Sequence, residues 1–196
     1  MSGPRGRRLR LLVALAAAVP VVAGCGGASL PVLPIGGDFA LTDHNSAPFE
    51  LTSLRGNVVL IFFGYSMCPD VCPTTLSKLS SVSRQLAQVG AHFKTVYITV
   101  DPDRDTPEVL KADLGSFGLD AVGLTGPRAA IDSVVALYGA SYQIVPTPGS
   151  AAGYSVSHTT RLYALDAEGR VRMIFAYEAT VDEIVRGIQA ILAEES

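Results

Sequence analysis

Apolar and polar positions along this chain fall into blocks whose period switches between two and about three and a half residues. DFALTD (38–43) and PFELTSL (48–54) flank the polar stretch HNSA and read as a short N-terminal hairpin. VVLIFFG (58–64) is a continuous apolar run of strand length, rich in Val, Ile and Phe, as in a central strand covered on both faces. In TTLSKLSSVSRQLAQVG (74–90) the period lengthens, and Leu76, Leu79, Val82, Leu86 and Val89 make a helical stripe closed by Gly90. KTVYITVD (94–101) predicts a second strand. RDTPEVLKADLGSF (104–117) predicts a helix with Thr106 as N-cap and Pro107 in its first position. VGLT (122–125) is a short strand, and PRAAIDSVVALYG (127–139) is a helix ending at Gly139. TTRLYALD (159–166), the turn AEG and RVRMIFAYE (170–178) form a second hairpin. TVDEIVRGIQAILAEE (180–195) is the last helix, opened by a capping box of Thr180 and Glu183.

After the N-terminal hairpin the order is therefore βαβαβαββα. That order predicts an α/β chain with a thioredoxin-like fold: a central mixed β-sheet flanked by helices. In such a fold the chemistry lies where the first core strand hands over to its helix.

The first residues follow another logic. Arg5, Arg7, Arg8 and Arg10 precede the apolar run LLVALAAAVPVVA (11–23), which is too short and too Ala-rich for a comfortable membrane span. The run closes on VAGC (22–25), which resembles a bacterial lipobox. On that reading residues 1–24 are a lipoprotein signal peptide and Cys25 carries the lipid; otherwise they are an ordinary secretory signal that Cys25 happens to follow. Gly- and Pro-containing residues 25–37 read as a flexible tether, leaving residues 38–196 as the domain. Either reading places the domain outside the cytoplasm, and the lipobox places it lipid-anchored on the outer face of the cell membrane.

Processing changes the electrostatics. Of 196 residues, 15 are Lys or Arg and 18 are Asp or Glu. Losing the four arginines leaves 11 bases against 18 acids, so the mature net charge is about −7. A nucleic-acid partner is excluded on that balance. A lipidated Cys25 also leaves two of the three cysteines, Cys68 and Cys72, both in GYSMCPDVCP (64–73) at the predicted strand–helix junction.

Residues four apart on a helix share a face, with Cα atoms roughly 6 Å apart, within reach of a disulfide. Pro69 and Pro73 limit the regularity of the turn, and the helix proper is expected to begin at Pro73. The helix dipole favours thiolate at this end. Three uses of the pair remain open: a structural staple, a dithiol–disulfide couple, and a two-thiolate metal site. The loop is too short for a staple to remove much chain entropy. Exchange motifs on this fold usually separate their cysteines by two residues rather than three. A metal site needs another ligand.

Three histidines are available. His44 lies in the hairpin turn and His92 between a helix and a strand, both read as surface residues. His158 follows the long polar loop PTPGSAAG (146–153) and immediately precedes a predicted strand, where a thioredoxin-like fold faces the cysteine loop. Two thiolates and one imidazole suit Cu(I), or Cu(II) with a further oxygen ligand, whereas structural zinc wants a fourth protein ligand. Asp70, inside CPDVC, could tune the site, supply an oxygen, or simply serve the helix N-terminus.

GNVVLIFFGYSMCPDVCPTTL (56–76), ITVDPDRDTPEVLKAD (98–113) and YSVSHTTRLYALDAEGRV (154–171) together resemble the SCO/SenC family of copper chaperones for cytochrome c oxidase assembly. The resemblance runs from about residue 37 to 194. It implies one copper per chain, as Cu(I) or Cu(II), held by Cys68, Cys72 and His158, with the two cysteines also forming a redox-active disulfide. It implies delivery to cytochrome c oxidase subunit II, with another copper chaperone and a thioredoxin-like reductant as further partners. Asp101 and Arg104 of DPDRDTPE are explained by a strand end and a helix start, and are also candidates for supporting the site. A thiol–disulfide oxidoreductase that keeps the oxidase's cysteines reduced is the competing reading; a peroxidase-like activity is a third. The resemblance implies an assembly factor rather than an enzyme.

Overall fold

The computed structural model describes residues 29–195. In chain order these form β1 (Ala40–Asp43), β2 (Pro48–Glu50), a 3-10 turn (Leu51–Leu54), β3 (Val59–Gly64), α1 (Val71–Ala87) and β4 (Lys94–Thr99). There follow α2 (Pro107–Gly115), β5 (Ala121–Thr125), α3 (Arg128–Leu137), β6 (Tyr142–Pro146), β7 (Tyr154–His158), β8 (Leu162–Leu165), β9 (Val171–Phe175) and α4 (Val181–Glu194). Seven strands make one mixed sheet in the order β2-β1-β5-β4-β3-β8-β9, with β3, β4 and β5 parallel and the rest antiparallel. The thioredoxin-like expectation of a mixed sheet flanked by helices holds.

β3 sits inside the sheet, and every one of its residues is buried. Its alternate side chains divide the core. Ile61 and Phe63 join Val96, Ile98 and the α3 residues Ile131, Val134 and Val135 on one face. Leu60 and Phe62 join Leu76, Leu79 and Val82 of α1, Leu110 of α2 and Ile184, Ile188 and Ile191 of α4 on the other. This is why the run 58–64 shows no period: neither face meets water.

Two local differences from the sequence reading have physical causes. α1 starts at Val71 rather than at Pro73, with Asp70 as N-cap. A proline in the first turn is tolerated because the backbone N–H it lacks has no partner there anyway. Thr106 and Thr180 cap their helices as expected, accepting from Val109 and Glu183. The largest difference lies between α3 and β8. The residues on either side of the polar loop PTPGSAAG, to which the sequence reading assigns no strand, form a separate two-stranded sheet, β6–β7, running from Tyr142 opposite His158 to Pro146 opposite Tyr154, with the loop as its turn. β6 is exposed along nearly its whole length, so it carries no alternation to betray it. His158 therefore ends a strand rather than preceding one.

Residues 30–37, which composition assigns to the tether, lie against the domain. The backbone N–H of Leu33 donates to Val171 O at 2.8 Å, and that of Gly36 to Leu137 O at 2.8 Å. Gly36 has φ +87°, and a Cβ there would fall 2.7 Å from a Val171 methyl, so glycine is required at this approach. Arg172, 7% exposed, donates to the carbonyls of Leu30 and Pro31 and pairs with Asp166 and Glu194. No helix among the described residues is long and apolar enough to cross a membrane.

Replacing Arg172 with alanine leaves Asp166 with Arg170 alone and frees the Leu30 and Pro31 carbonyls. Stability should fall by about 3 kcal/mol, as for other broken buried ion pairs. Urea denaturation measures the loss. Hydrogen exchange should show residues 30–37 deprotected first.

Candidate metal centre

Cys68, Cys72 and His158 come together. The two sulfurs and a ring nitrogen all lie within 4.8 Å of one another, among three residues separated by as many as 90 positions. Cys68 is half-buried in the loop after β3, and Cys72 is 2% exposed in the first turn of α1. The Cys68 N–H donates to Tyr65 O at 3.1 Å, turning the chain. The Cys72 N–H then donates to Cys68 Sγ at 3.4 Å, so a helix-terminal amide faces the sulfur.

His158 presents Nε2 to the thiols, 3.6 Å from Cys72 Sγ. Its Nδ1 lies 2.9 Å from the Thr159 carbonyl, which can only accept. In the neutral ring the proton is thus on Nδ1 and the lone pair on Nε2, the arrangement a metal-binding imidazole needs. The ring stands edge-to-face against Phe62 at 6.1 Å and Tyr65 at 5.8 Å, which fixes its plane.

The cysteines share protons unequally. A hydrogen bond from Cys72 holds Cys68 well below the ordinary thiol value against the opposing effect of burial, helped by the backbone N–H groups of Asp70 and Cys72. The same bond to Cys68, together with burial, pushes Cys72 upward. The pair is thus biased toward charge on Cys68 and a proton on Cys72.

The loop after β4 joins the two halves of the site. Asp105 is fully buried; its carboxylate accepts from the Ser66 N–H at 3.0 Å, from the Ser66 hydroxyl and from Thr99 Oγ1 at 2.6 Å, anchoring the start of the cysteine loop. Asp101, also fully buried, accepts from Tyr154 Oη at 2.7 Å and pairs with Arg104. Arg104 donates to the carbonyls of Ala152 and Tyr154, each at 3.0 Å, and stacks 3.6 Å from the Tyr154 ring centre. The hairpin that carries His158 is thus clamped to the loop that anchors the cysteines.

The remaining residues singled out by sequence fall elsewhere. Asp70 is exposed, makes no side-chain cap bond and stands outside the three-residue cluster. Asp101 meets the hairpin rather than the thiols. His44 Nδ1 accepts from the Gly123 N–H at 2.9 Å and ties the first hairpin to β5, a structural task; His92 is exposed. Cys25 lies outside the described residues. Sequence reasoning passed over Asp105 and Tyr154; both lie within quoted motifs, but their partners are set by tertiary contact.

A family model described as SCO1/SenC matches residues 28–193. The chain belongs to the SCO1/SenC family. It is 37% identical over 153 residues to an SCO2-like protein of Rickettsia prowazekii, covering 78% of this chain and 75% of that one. Among solved structures, Bradyrhizobium japonicum ScoI with copper bound is 39% identical, with a TM-score of 0.71 over 80% of this chain and 99% of that one. Arabidopsis thaliana ScoI with copper bound is 28% identical, with a TM-score of 0.76 over 81% and 99%.

Two tests follow from this geometry. In the reduced protein, iodoacetamide should label Cys68 well before Cys72, and should still do so at pH 5, where an ordinary thiol is almost wholly protonated. Peptide mapping of the alkylated chain reads this directly; equal labelling would contradict the proton arrangement. Separately, Arg104→Ala should leave the main sheet folded but loosen residues 142–158. Hydrogen exchange in the hairpin should rise by at least about tenfold, the equivalent of one charge-assisted bond lost.

Proposed function

We propose that this member of the SCO1/SenC family is a copper chaperone that supports assembly of the dinuclear copper site of cytochrome c oxidase. Copper is its cargo, one ion per chain. The observation that carries the reading is the convergence of two cysteine sulfurs and a histidine Nε2, with that nitrogen's lone pair turned toward the sulfurs. Cys68, Cys72 and His158 are the ligands in this reading. Two soft thiolates and an imidazole suit Cu(I), and a Cu(II) ion accepts the same set with an added oxygen. The copper-bound description of the Bradyrhizobium relative supports the choice of metal.

Cargo must leave as well as bind. Of the two cysteines Cys68 is the more accessible, so an incoming thiolate of cytochrome c oxidase subunit II meets it before Cys72 and exchanges with it. Another copper chaperone supplies the ion, and a thioredoxin-like protein reduces the pair after oxidation. Residues 1–24 act as a signal peptide, Cys25 carries lipid, and the chain from there leads to the domain on the outer face of the cell membrane. The role is that of an assembly factor, with no catalytic turnover assigned.

A second reading draws on the unequal thiols. A low Cys68 thiolate next to a protonated Cys72 is also the arrangement of a thiol–disulfide reductant, which would keep the oxidase's own copper-ligating cysteines reduced. His158 separates the two: metal binding needs it, whereas exchange tolerates its loss.

The test is an anaerobic titration of the reduced full-length chain against a Cu(I)-chelating competitor, with His158→Ala alongside. Wild type should take up one tight ion per chain. The variant should bind more than about 100-fold more weakly, beyond the range seen for outer-shell changes, while melting as wild type does. Equal binding would overturn the three-ligand site and leave the reductant reading.

A further inference from the structure

Residues 30–37 join the domain at one end of the main sheet. Leu30 packs on the core layer of α1 and α4, and Leu33 and Ile35 pack on the layer of α3, so this strap crosses the sheet beside the start of β9. Strand register sets its level. Val171 of β9 pairs with Leu165 of β8, and Leu165 pairs with Val59, the first residue of β3. The cysteine loop leaves the other end of β3, after Gly64. The six residues of β3 span about 17 Å. The strap and the metal centre therefore lie at opposite ends of the sheet.

The strap's end of the domain has a distinctive surface. Val32, in the strap, is 53% exposed, and Val89, in the turn from α1 to β4, is 67% exposed; these are the two most exposed large apolar side chains among the described residues. α1 runs about 25 Å from the cysteine loop to that turn. The Lys94 N–H that follows donates to Val58 O at 2.9 Å, which places the turn level with the start of β3. Charges at this end are paired: Arg55 with Asp38, Lys94 with Asp120, and Arg170 with Asp166. An otherwise acidic chain thus presents here two apolar side chains among neutralised charges.

We propose that this end rests on the lipid surface, with Val32 and Val89 against the headgroups and the metal centre facing away from the membrane. The inference rests on Cys25 carrying lipid. Only residues 26–29 separate Cys25 from Leu30, so Leu30 stands at most about 18 Å from the anchor. The inverted arrangement, with the cysteine loop against lipid, raises Leu30 by the length of the sheet and leaves that tether no slack. Affinity for a membrane surface grows with the apolar area it covers and falls with like-charge repulsion, and both favour the valine end. A partner then meets the metal centre from the aqueous side, a sheet's length from the headgroups.

The chain contains no tryptophan, so a single introduced one reports its own position. Full-length His92→Trp and Met67→Trp chains, processed by a bacterial host, are reconstituted reduced and without copper in phosphatidylcholine–phosphatidylglycerol vesicles that carry dansyl-labelled headgroups. His92 lies in the α1–β4 turn and Met67 in the cysteine loop, and both are exposed. Energy transfer to the headgroups should be several-fold stronger from position 92 than from position 67. Equal transfer, or stronger transfer from position 67, overturns the orientation. Adding Val32→Asp and Val89→Asp to the His92→Trp chain should weaken its transfer while the chain stays vesicle-bound and melts as before; unchanged transfer overturns the valine contact. Vesicle flotation and the mass of the mature N-terminal residue separate this from the anchor itself. A lipidated chain that floats without the contrast keeps its anchor and loses the orientation, whereas a chain without lipid loses both.

Discussion

The candidate metal centre depends on a buried ion pair that touches none of its three residues. Cys72, in the first turn of α1, and His158, at the end of β7 in the small sheet, are 86 residues apart. Arg104 and Asp101 hold them in register. Taking such a pair out of water costs several kcal/mol per ion unless hydrogen bonds replace the lost hydration. Here two hairpin carbonyls, a tyrosine hydroxyl and an aromatic face supply that replacement. The arginine fork suits the task, because it spans a carboxylate and two carbonyls at once where a lysine would offer a point charge. One nitrogen, Nη2, has no hydrogen-bond partner among the described residues, so the clamp is less than fully compensated there.

The same loop supports the other half. Asp105 ties Ser66 to Thr99, and Val100 donates to Gly64 O at 2.8 Å, so the chain leaving β4 braces the chain leaving β3. Both exits lie at the carboxyl ends of parallel strands, the edge of an open α/β sheet where binding sites gather. DPDRDTPE thus does two jobs within five residues. Asp105 sets the cysteine loop, and Asp101 with Arg104 sets the histidine hairpin.

Most of the sheet and all four helices were legible because their signals are local. The unbroken apolar run of β3, the stripe of α1 and the caps at Thr106 and Thr180 each depend on neighbours in sequence. The cysteine pair was legible for the same reason, being confined to five residues. β6–β7 was not, because a two-stranded ribbon with one exposed strand has no buried face to impose a period of two. Thus His158 could be chosen by its chemistry and its place in the expected fold, while the strand that holds it could not. Asp101 and Arg104 could be explained as a strand end and a helix start; their partners Tyr154 and Ala152 lie some fifty residues on and are joined by folding alone. The docking of residues 30–37 was hidden because Gly- and Pro-rich composition signals freedom, whereas Gly36 here serves a tight backbone approach.

This division of labour has a consequence for how the site can act. Cys72 and the brace around Cys68 belong to the most deeply packed part of the protein, where β3 and α1 meet. His158 belongs to a two-stranded sheet, a structure that is marginal in water without support. Its order is therefore borrowed from Arg104, Asp101 and the aromatic walls of Phe62 and Tyr65 rather than generated within the hairpin. A site built this way has two ligands fixed by the core and one whose position is set by a small number of polar contacts. The cysteines can exchange protons or form a disulfide within a five-residue loop whose closure contributes little to folding stability. The histidine's position rests on contacts that the hairpin makes with its neighbours, among them Val156 in the core and Tyr142 against α3. The sulfurs are thus placed by local helix geometry and the imidazole by tertiary contacts alone, so the three-residue cluster forms only in the folded domain.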